Sequence, residues 1–325
     1  MTLKRLLPGA LIALATIAGA HGADAQGYPS RPITVIIPFA GGSASDVVSR
    51  IMLERMSRSM GQPIIIDNRP GAGGNTGTLQ AARATPDGYT LVGSGSGPIA
   101  ANKVLYRDLG YDPEKDFEPI SPFAHFHIVV VASTKMGINT LPELIAHAKK
   151  NPGLNYGSVG IGSSQHLSGI YFEQVAGVQL THVPYRNIAQ YGPDLIAGQV
   201  PLGFQWLPNV NAPLQSGGAK ALAVGAKTRL AALPDVPTVI EAGLPEYIAS
   251  GWFMLLAPKN TPKDIVNKLN NELKAAIEDP AVRARFVEVG AEPAAIPADE
   301  AGKFISVEVA KWREVITKAG VPQIQ

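Results

Sequence analysis

Serine and histidine side chains that are able to support nucleophilic catalysis lie together in residues 160–166, Gly-Ile-Gly-Ser-Ser-Gln-His. A serine hydrolase needs a hydroxyl that meets a histidine base, often on a G-x-S-x-G turn. Neighbours on one tight turn rarely present nucleophile and base to each other, and residues 157–160 have the wrong spacing for G-x-S-x-G. We therefore predict that the chain is not an enzyme, and a serine hydrolase remains the least favoured alternative.

Metal and nucleotide sites are also poorly supported. The six histidines show no H-E-x-x-H spacing, and only His125 and His127 are close in sequence. That pair would share one face of a strand. We interpret it as an ordinary polar face of the strand in preference to a metal site. The Gly-rich loops lack the lysine of a Walker A motif and a clean G-x-G-x-x-G pattern. We expect no metal, nucleotide or other cofactor.

Backbone N–H groups and serine hydroxyls are the chemistry that remains. In residues 33–46, ITVIIPFAGGSASD, Gly41 and Gly42 free the backbone to turn, and Ser43 or Ser45 can cap the helix that follows. The unpaired N–H groups at a helix N-terminus favour a small anion. Hydrogen bonds alone can hold a carboxylate there, because bonds to a charged acceptor are stronger than neutral ones.

Short apolar strands position these loops. Strands are predicted at 33–37, 63–67 and 89–92, and each runs into glycine and small polar residues. The same pattern recurs at 154–159. Loops at the carboxyl ends of parallel strands line the ligand crevice of an open α/β sheet. Any one of these loops can be a simple turn, but their repetition favours a shared site.

Candidate ligand groups from this reading are hydroxyls, charged side chains and aromatic rings. Arg186 is the nearest counter-charge, although an exposed loop cation is an equally good reading. Asp46 and Asp194 lie at helix starts, where they are expected to hold loop N–H groups or ordered water. Tyr185 and Phe204 can pack a ligand's carbon skeleton or belong to the core. The candidate hydroxyls are those of Ser43, Ser45, Ser94, Ser96, Ser163 and Ser164.

The N-terminal segment predicts export. Lys4 and Arg5 precede an apolar run over residues 6–20, and Ala23-Asp24-Ala25 follows, which is typical of a signal peptide cleaved after Ala25. A membrane anchor is the alternative, but the run is short and is interrupted by Pro8-Gly9. We therefore expect residues 1–25 to be removed and the mature protein to be soluble.

Composition limits the partners and the fold. Loss of residues 1–25 leaves 26 cationic and 25 acidic groups, too near neutral to indicate a nucleic-acid partner. No cysteine is present, so disulfides and thiolate chemistry are excluded. A length of 325 residues and 46% apolar residues with many glycines and prolines favour an α/β protein of two domains. Extended segments at 121–127 and 247–257 are predicted to cross between the domains.

Eight segments, in the right order over essentially the whole mature chain, resemble one family, the Bug (TctC-like) solute-binding proteins of tripartite tricarboxylate transporters. The segments are YPSRPITVIIPFAGGSASD, IIIDNRPGAGGNTG, TPDGYTLV, NYGSVGIGSSQHL, THVPYRN, DLIAGQV, ALPDVPTVIEAG and SGWFMLLAP. The resemblance implies an α/β, two-lobed periplasmic-binding-protein fold, with two Rossmann-like domains joined by two crossing strands. Lobe 1 would comprise 26–124 and 250–325, and lobe 2 residues 125–249.

The resemblance also implies a function and a site. Members bind small carboxylates in the interlobe cleft and deliver them to membrane permease subunits, so we expect a periplasmic monomer. One ligand carboxylate would lie between the first strand–helix loop of each lobe, with distal selectivity from 94–97, 185–187 and 204–206. The site residues that this adds to those above are Phe39, Ala40, Gly41, Gly42, Gly160, Gly162, His166 and Gln205.

Two positions depart from the family pattern. Asn187 stands where a glycine is usual, and Gln205 stands where an acidic residue is common. Loss of that carboxylate suggests a pocket that tolerates a second ligand carboxylate, so we expect an aliphatic or aromatic dicarboxylate. The alternative function is an orphan subunit that senses the same ligand for a signalling kinase, and the sequence does not separate the two.

Overall fold

Two sheets, flanked by helices, organise the chain. The computed structural model describes residues 27–318 and 320–324, so the predicted signal peptide and its cleavage site lie outside the described residues. The strands are β1 (Ile33–Ile37), β2 (Ile64–Asn68), β3 (Thr90–Gly95), β4 (Phe117–His127), β5 (Val129–Ser133), β6 (Leu154–Ser158), β7 (Leu180–Pro184), β8 (Leu202–Gln205), β9 (Ala219–Val224), β10 (Ser250–Pro258) and β11 (Ala291–Pro293). The helices are α1 (Ala44–Met60), α2 (Asn75–Ala82), α3 (Asn102–Leu105), α4 (Leu141–Lys150), α5 (Ser164–Ala176), α6 (Tyr191–Ala197), α7 (Leu207–Gln215), α8 (Lys263–Glu278), α9 (Pro280–Glu288) and α10 (Ala298–Lys318).

Each sheet belongs to one lobe. The first has the strand order β11-β4-β10-β3-β1-β2, and the second has the order β7-β6-β8-β5-β9. In the first sheet β1 runs parallel to β2 and β3, and in the second β6 runs parallel to β7 and β8. The loops after β1 and β6 therefore leave the carboxyl edges of two parallel units, where α/β proteins bind ligands.

Strand β1 shows why the opening segment folds as predicted. Its side chains Ile33, Val35, Ile36 and Ile37 are all at most 1% exposed. A β-branched run of this kind suits a strand covered on both faces. Each such buried side chain contributes about 1.5–3 kcal/mol relative to its exposed state, so the strand is a rigid base for the loop that follows it.

The chain passes between the sheets at two adjacent points. Strand β4 pairs with β10 from Phe117 to His127, so residues 121–127 are part of the first sheet and the crossing lies just beyond them. Ile128 N donates to Ala249 O at 2.9 Å, Ala249 N to Gly225 O at 3.0 Å, and Gly225 N to Ile128 O at 2.7 Å. These backbone bonds hold the two crossings side by side, as a hinge requires.

Helix α7 is an element that we did not predict. It begins with Pro208 in its first turn and carries Pro213 inside it, and proline normally argues against a helix interior. Proline is nevertheless well tolerated in a first turn, where its missing N–H has no partner to lose. Within the described residues, the structure has no helix long and apolar enough to cross a membrane.

Candidate functional site

The loop after β1 ends in a capped helix start. Ser43 caps α1, and its hydroxyl oxygen accepts a bond from Asp46 N at 3.5 Å and lies 3.0 Å from Ser45 Oγ. Ala40 O accepts a bond from Ser43 N at 3.2 Å. Phe39 O accepts a bond from Asn68 Nδ2 at 3.0 Å. The loop is therefore fixed on the first sheet before any ligand arrives.

The Asp46 carboxylate stabilises this loop through hydrogen bonds. Its carboxylate accepts bonds from Gly42 N at 2.9 Å, Asn68 Nδ2 at 3.0 Å and Arg50 Nε at 2.8 Å. Burial raises the pKa of Asp46, but the bonds from Arg50, Gly42 and Asn68 outweigh it and keep the pKa below its ordinary value. The carboxylate therefore stays charged, and it holds a loop N–H group as the sequence indicated.

The loop after β6 repeats this arrangement in the other lobe. Ser163 caps α5 and accepts a bond from His166 N at 3.3 Å, and its hydroxyl donates to Gly160 O at 2.7 Å. Gly162 N donates to His166 Nδ1 at 3.2 Å. That ring nitrogen must be unprotonated to accept the bond. His166 thus supports the loop and does not serve as a base for the adjacent serines.

A second histidine ring packs against the first at a tilt of 42°. The rings of His166 and His182 lie 4.2 Å apart between centroids, and His182 Nε2 lies 2.6 Å from Ser158 Oγ. Burial lowers the pKa of His166 to about 4. Burial, with His166 nearby, lowers the pKa of His182 to about 3. Both rings are therefore neutral at neutral pH.

The two lobes meet at glycine loops. Ser96 Oγ lies 2.8 Å from Ser164 Oγ across the junction. A Cβ atom added to Gly73 would lie 2.1 Å from Ile161 O, and one added to Gly162 would lie 2.3 Å from Asn102 Oδ1. Because no side chain fits there, glycine is what allows the lobes to approach this closely. In this structure the two lobes are in direct contact at these loops.

Helix α7 contacts the start of α1 from the opposite lobe. Asn209 Oδ1 accepts a bond from Ala44 N at 2.9 Å. Asn209 Nδ2 donates to Gln205 Oε1 at 3.0 Å, and Gln205 Nε2 donates to Gly157 O at 2.8 Å. Asn209 was not among the predicted residues, because the prolines around it conceal the helix. Pro208 at a first-turn position was the one available signal.

Three buried side chains at or beside the junction have polar atoms with no hydrogen-bond partner among the described residues. They are Gln165, at both amide atoms, Trp206, at Nε1, and Asn102, at Oδ1. A Cβ atom added to Gly251 would lie 2.7 Å from Trp206 Cζ2, 2.9 Å from Ser96 Oγ and 3.0 Å from Ser164 Oγ. The indole edge therefore lies beside the interlobe hydroxyl pair. Most buried polar atoms in proteins are hydrogen-bonded, so these atoms are open to a bound water or ligand. Gln165 was not predicted.

Other predicted residues make their contacts within the second lobe. Tyr185 donates to Asp194 Oδ2 at 2.6 Å, and burial together with this bond raises the pKa of Tyr185. Arg186 is exposed. Phe204 is fully buried, with its ring centroid 4.9 Å from that of Phe172. A ligand role for these side chains stays a prediction.

Ser94 and the first glycine loop face different surroundings. Ser94 Oγ lies 2.9 Å from Thr78 Oγ1 within the first lobe. Gly41 and Gly42 border a pocket of about 400 Å³ that opens between the lobes. Apart from Asn209, every residue that lines this pocket is a glycine or has an apolar side chain.

The described residues contain no cluster of three or more histidines and carboxylates that could hold a metal ion.

A family model named tripartite tricarboxylate transporter family receptor, TctC, matches residues 48–321. The chain belongs to this family. Protein BugT of Bordetella pertussis is 35% identical over 324 residues, which cover 98% of this chain and 99% of the relative. The predicted resemblance is therefore confirmed.

Solved structures of TctC-like proteins share the fold. The periplasmic binding protein BugD is 34% identical with a TM-score of 0.87, and the match covers 91% of this chain and 100% of BugD. Rpa4515 of R. palustris, solved with adipate, is 33% identical with a TM-score of 0.88 over 91% and 100%. MatC of Rhodopseudomonas palustris, solved with malate, is 31% identical with a TM-score of 0.81 over 89% and 100%.

These matches decide the class of the protein. The two-lobed α/β fold predicted from the sequence is confirmed. The chain is a solute-binding protein of the TctC family and not an enzyme. The serine–histidine pair of residues 163–166 thus forms a helix cap, as its hydrogen bonds indicate.

Proposed function

We propose that this TctC protein captures a small carboxylate between its lobes and delivers it to the permease subunits of a tripartite tricarboxylate transporter. It would act as a periplasmic monomer after cleavage behind Ala25. The observation that supports this most strongly is that two serine-capped helix starts, at Ser43 and Ser163, both contact the opposite lobe. Helix N-termini favour anions through their N–H groups and dipoles.

The proposed ligand is a dicarboxylate, aliphatic or aromatic. Adipate and malate, each with two carboxylates, are bound in the related Rpa4515 and MatC structures. Gln205 in place of an acidic residue removes a negative charge that would repel a second carboxylate. The Trp206 indole N–H and the Gln165 amide supply neutral donors without partners at the junction. A site of neutral donors suits an anion that is held and released without covalent chemistry.

Capture would follow from closure about the hinge. A ligand that touches both lobes binds the closed form better than the open form and therefore shifts the equilibrium toward closure. The backbone bonds among Ile128, Gly225 and Ala249 keep the crossings together during this motion. The enclosed ligand would then be shielded from water until the permease opens the lobes.

A ligand screen tests this function. Adipate, malate and terephthalate should raise the melting temperature and give heat in titration calorimetry, because a ligand at 100 times its Kd adds about 2.7 kcal/mol to stability. Amino acids and nicotinamide at equal concentration should have no effect. Binding of amino acids or nicotinamide alone would contradict the proposal. Uptake of labelled ligand by cells with and without the protein would test delivery.

A pair of substitutions tests the position of the site. Ser164→Ala and Asp46→Ala should each weaken adipate binding, because one removes an interlobe hydroxyl and the other releases the Gly42 loop. Ser216→Ala, at an exposed serine of the second lobe, is the matched control. If neither site variant differs from this control, the ligand binds elsewhere.

A further inference from the structure

A directed series of amide hydrogen bonds, which we call the amide relay, joins the lobes through Gln205 and Asn209. It runs from Ala44 N–H to Asn209 Oδ1, from Asn209 Nδ2 to Gln205 Oε1, and from Gln205 Nε2 to Gly157 O. Ala44 begins α1 in the first lobe, and the other three residues belong to the second. The first bond of the relay therefore exists only when the lobes are together.

Gln205 cannot act as an ordinary ligand contact. Its side chain is fully buried, and both of its polar atoms are already bonded within the protein. Gly157 O is an acceptor and takes only the Nε2 donor, so Gln205 Oε1 must face Asn209. That oxygen in turn takes only the Nδ2 donor of Asn209, which leaves Asn209 Oδ1 facing Ala44. Gln205 therefore sets the orientation of the Asn209 amide.

We propose that Asn209 is the residue by which the second lobe latches onto the first turn of α1, and that Gln205 is its positioning residue. The inference rests on the proposed function, since closure is the step that captures the ligand. The Ala44 N–H group then serves closure and is not a donor to the ligand. The latch strengthens binding of any ligand by the same factor, because it stabilises the closed form itself.

The surroundings of Asn209 make it suitable for substitution. It is half-buried and borders the interlobe pocket of about 400 Å³. Truncation to alanine therefore widens an open pocket and leaves no enclosed cavity. We expect Asn209→Ala to fold, with a melting temperature lowered modestly because the buried Gln205 Oε1 loses its donor.

The first test compares Asn209→Ala with Gln199→Ala, which removes an exposed amide of the same lobe. Titration calorimetry with adipate and with malate should show both ligands weakened by one common factor, about three- to tenfold for the loss of one hydrogen bond. The loss should lie mainly in faster dissociation. Gln199→Ala should match the wild type.

The second test measures closure without any ligand. The chain has no cysteine, so spin labels can be placed on single cysteines introduced at the exposed residues Lys149 and Lys263, one in each lobe. Asn209→Ala should shift the distribution of label distances away from the closed separation. Equal distributions for Asn209→Ala and the wild type would refute the latch even if no ligand were known.

The third test uses the variant Gln205→Glu, whose side chain can change its charge with pH. A neutral Glu at this position supplies the same acceptor and the same donor as Gln, and an ionised Glu cannot donate to Gly157 O. Burial raises the pKa of such a carboxyl. Gln205→Glu should therefore bind adipate about as well as the wild type at pH 5 and several-fold less well at pH 8, whereas Gln205→Leu should be weak at both. An ionised Glu also repels a ligand carboxylate, so Gln205→Leu, which breaks the relay without adding a charge, separates the two effects. Affinity equal to that of the wild type in Gln205→Leu would contradict the positioning role.

The outcomes separate the two proposals. If the wild type binds neither adipate nor malate, the proposed ligand class fails and the label distances still decide the latch. If the wild type binds them and Asn209→Ala binds as tightly or more tightly, the proposed function stands and the latch is wrong.

Discussion

The loops after β1 and β6 share one backbone arrangement and differ in the side chain that supports it. Ser43 caps α1 at φ −68° and ψ 162°, and Ser163 caps α5 at φ −70° and ψ 157°. In both loops the glycine just before the cap donates its N–H to the third residue of the helix. Gly42 does so with Asp46 at 2.9 Å, and Gly162 with His166 at 3.2 Å.

The difference lies in the charge of that supporting residue. Asp46 is an ion held by Arg50 and Asn68, whereas His166 is a neutral ring whose pKa burial lowers to about 4. A carboxylate at a helix start offsets part of the positive end of the dipole. The second loop therefore presents the less compensated helix N-terminus to an anion, and the first is the more strongly anchored.

The largest expected difference between the two loops is in how stability changes as pH falls. His166 has a folded-state pKa of about 4, below its unfolded value of about 6.5. The unfolded chain therefore gains this proton first as pH falls, and about 3 kcal/mol of stability is lost between pH 6.5 and 4. Urea unfolding across this range should show the loss, and His166→Gln should recover a large part of it because an amide oxygen still accepts from Gly162.

His182 contributes to the same pH window, so His166→Gln should flatten the curve without abolishing its slope. The Asp46 contribution has the same sign and lies at lower pH. The pKa of this carboxyl lies below its ordinary value, so its stabilisation is lost as pH falls below the ordinary carboxyl range and through that lower pKa. Equal pH curves for the wild type and His166→Gln would show that the neutral histidine does not support the second loop.

Removal of the charged support should be costly even at neutral pH. Asp46→Ala removes a buried carboxylate that accepts bonds from Gly42 N, Asn68 Nδ2 and Arg50 Nε, which we expect to cost about 2 kcal/mol of unfolding free energy. Asp67→Ala is the matched control, because it removes a half-exposed ion pair with Arg69 in the same lobe. Such a pair is worth under about 1 kcal/mol. Similar losses in the two variants, measured by urea unfolding at pH 7, would contradict the anchoring role of Asp46.

Alanine substitutions at the equivalent glycines Gly42 and Gly162 test which of the two loops contacts the other lobe. Gly42 and Gly162 have φ values of 78° and 80°, so alanine adds similar backbone strain at both. A Cβ at Gly162 meets Asn102 Oδ1 at 2.3 Å, whereas a Cβ at Gly42 has nothing within 4 Å. Gly162→Ala should weaken adipate binding by about tenfold through impaired closure.

The control for this prediction is Gly42→Ala. It should lower stability through backbone strain and weaken adipate binding less than Gly162→Ala does, because its Cβ would have no atom of the other lobe within 4 Å. Calorimetry and thermal unfolding of both variants separate the two effects. If Gly42→Ala weakened binding as strongly, backbone strain and not interlobe contact would explain the result.

The local parts of this site were predictable, and the contacts between lobes were not. The loops at Gly41–Ser45 and Gly160–Ser164 could be predicted because the strand, the glycines and the capping serine are adjacent in sequence. Gly73 and Asn209 act on the opposite lobe, so no local pattern marks them. Two prolines also conceal α7, and the full length of β4 depends on its pairing with β10. Tertiary contacts of this kind override local propensity.

The smallest expected difference concerns the caps themselves. Ser43→Ala and Ser163→Ala each remove one N-cap hydroxyl, and each should cost about 1 kcal/mol of unfolding free energy. Ser163 also donates to Gly160 O, whereas Ser43 contacts Ser45 Oγ. Loss of Ser163 should therefore loosen its loop slightly more, which faster amide exchange at Gly162 than at Gly42 would report. Equal exchange in the two variants would mean that the two caps are interchangeable, and that the loops differ only in Asp46 and His166.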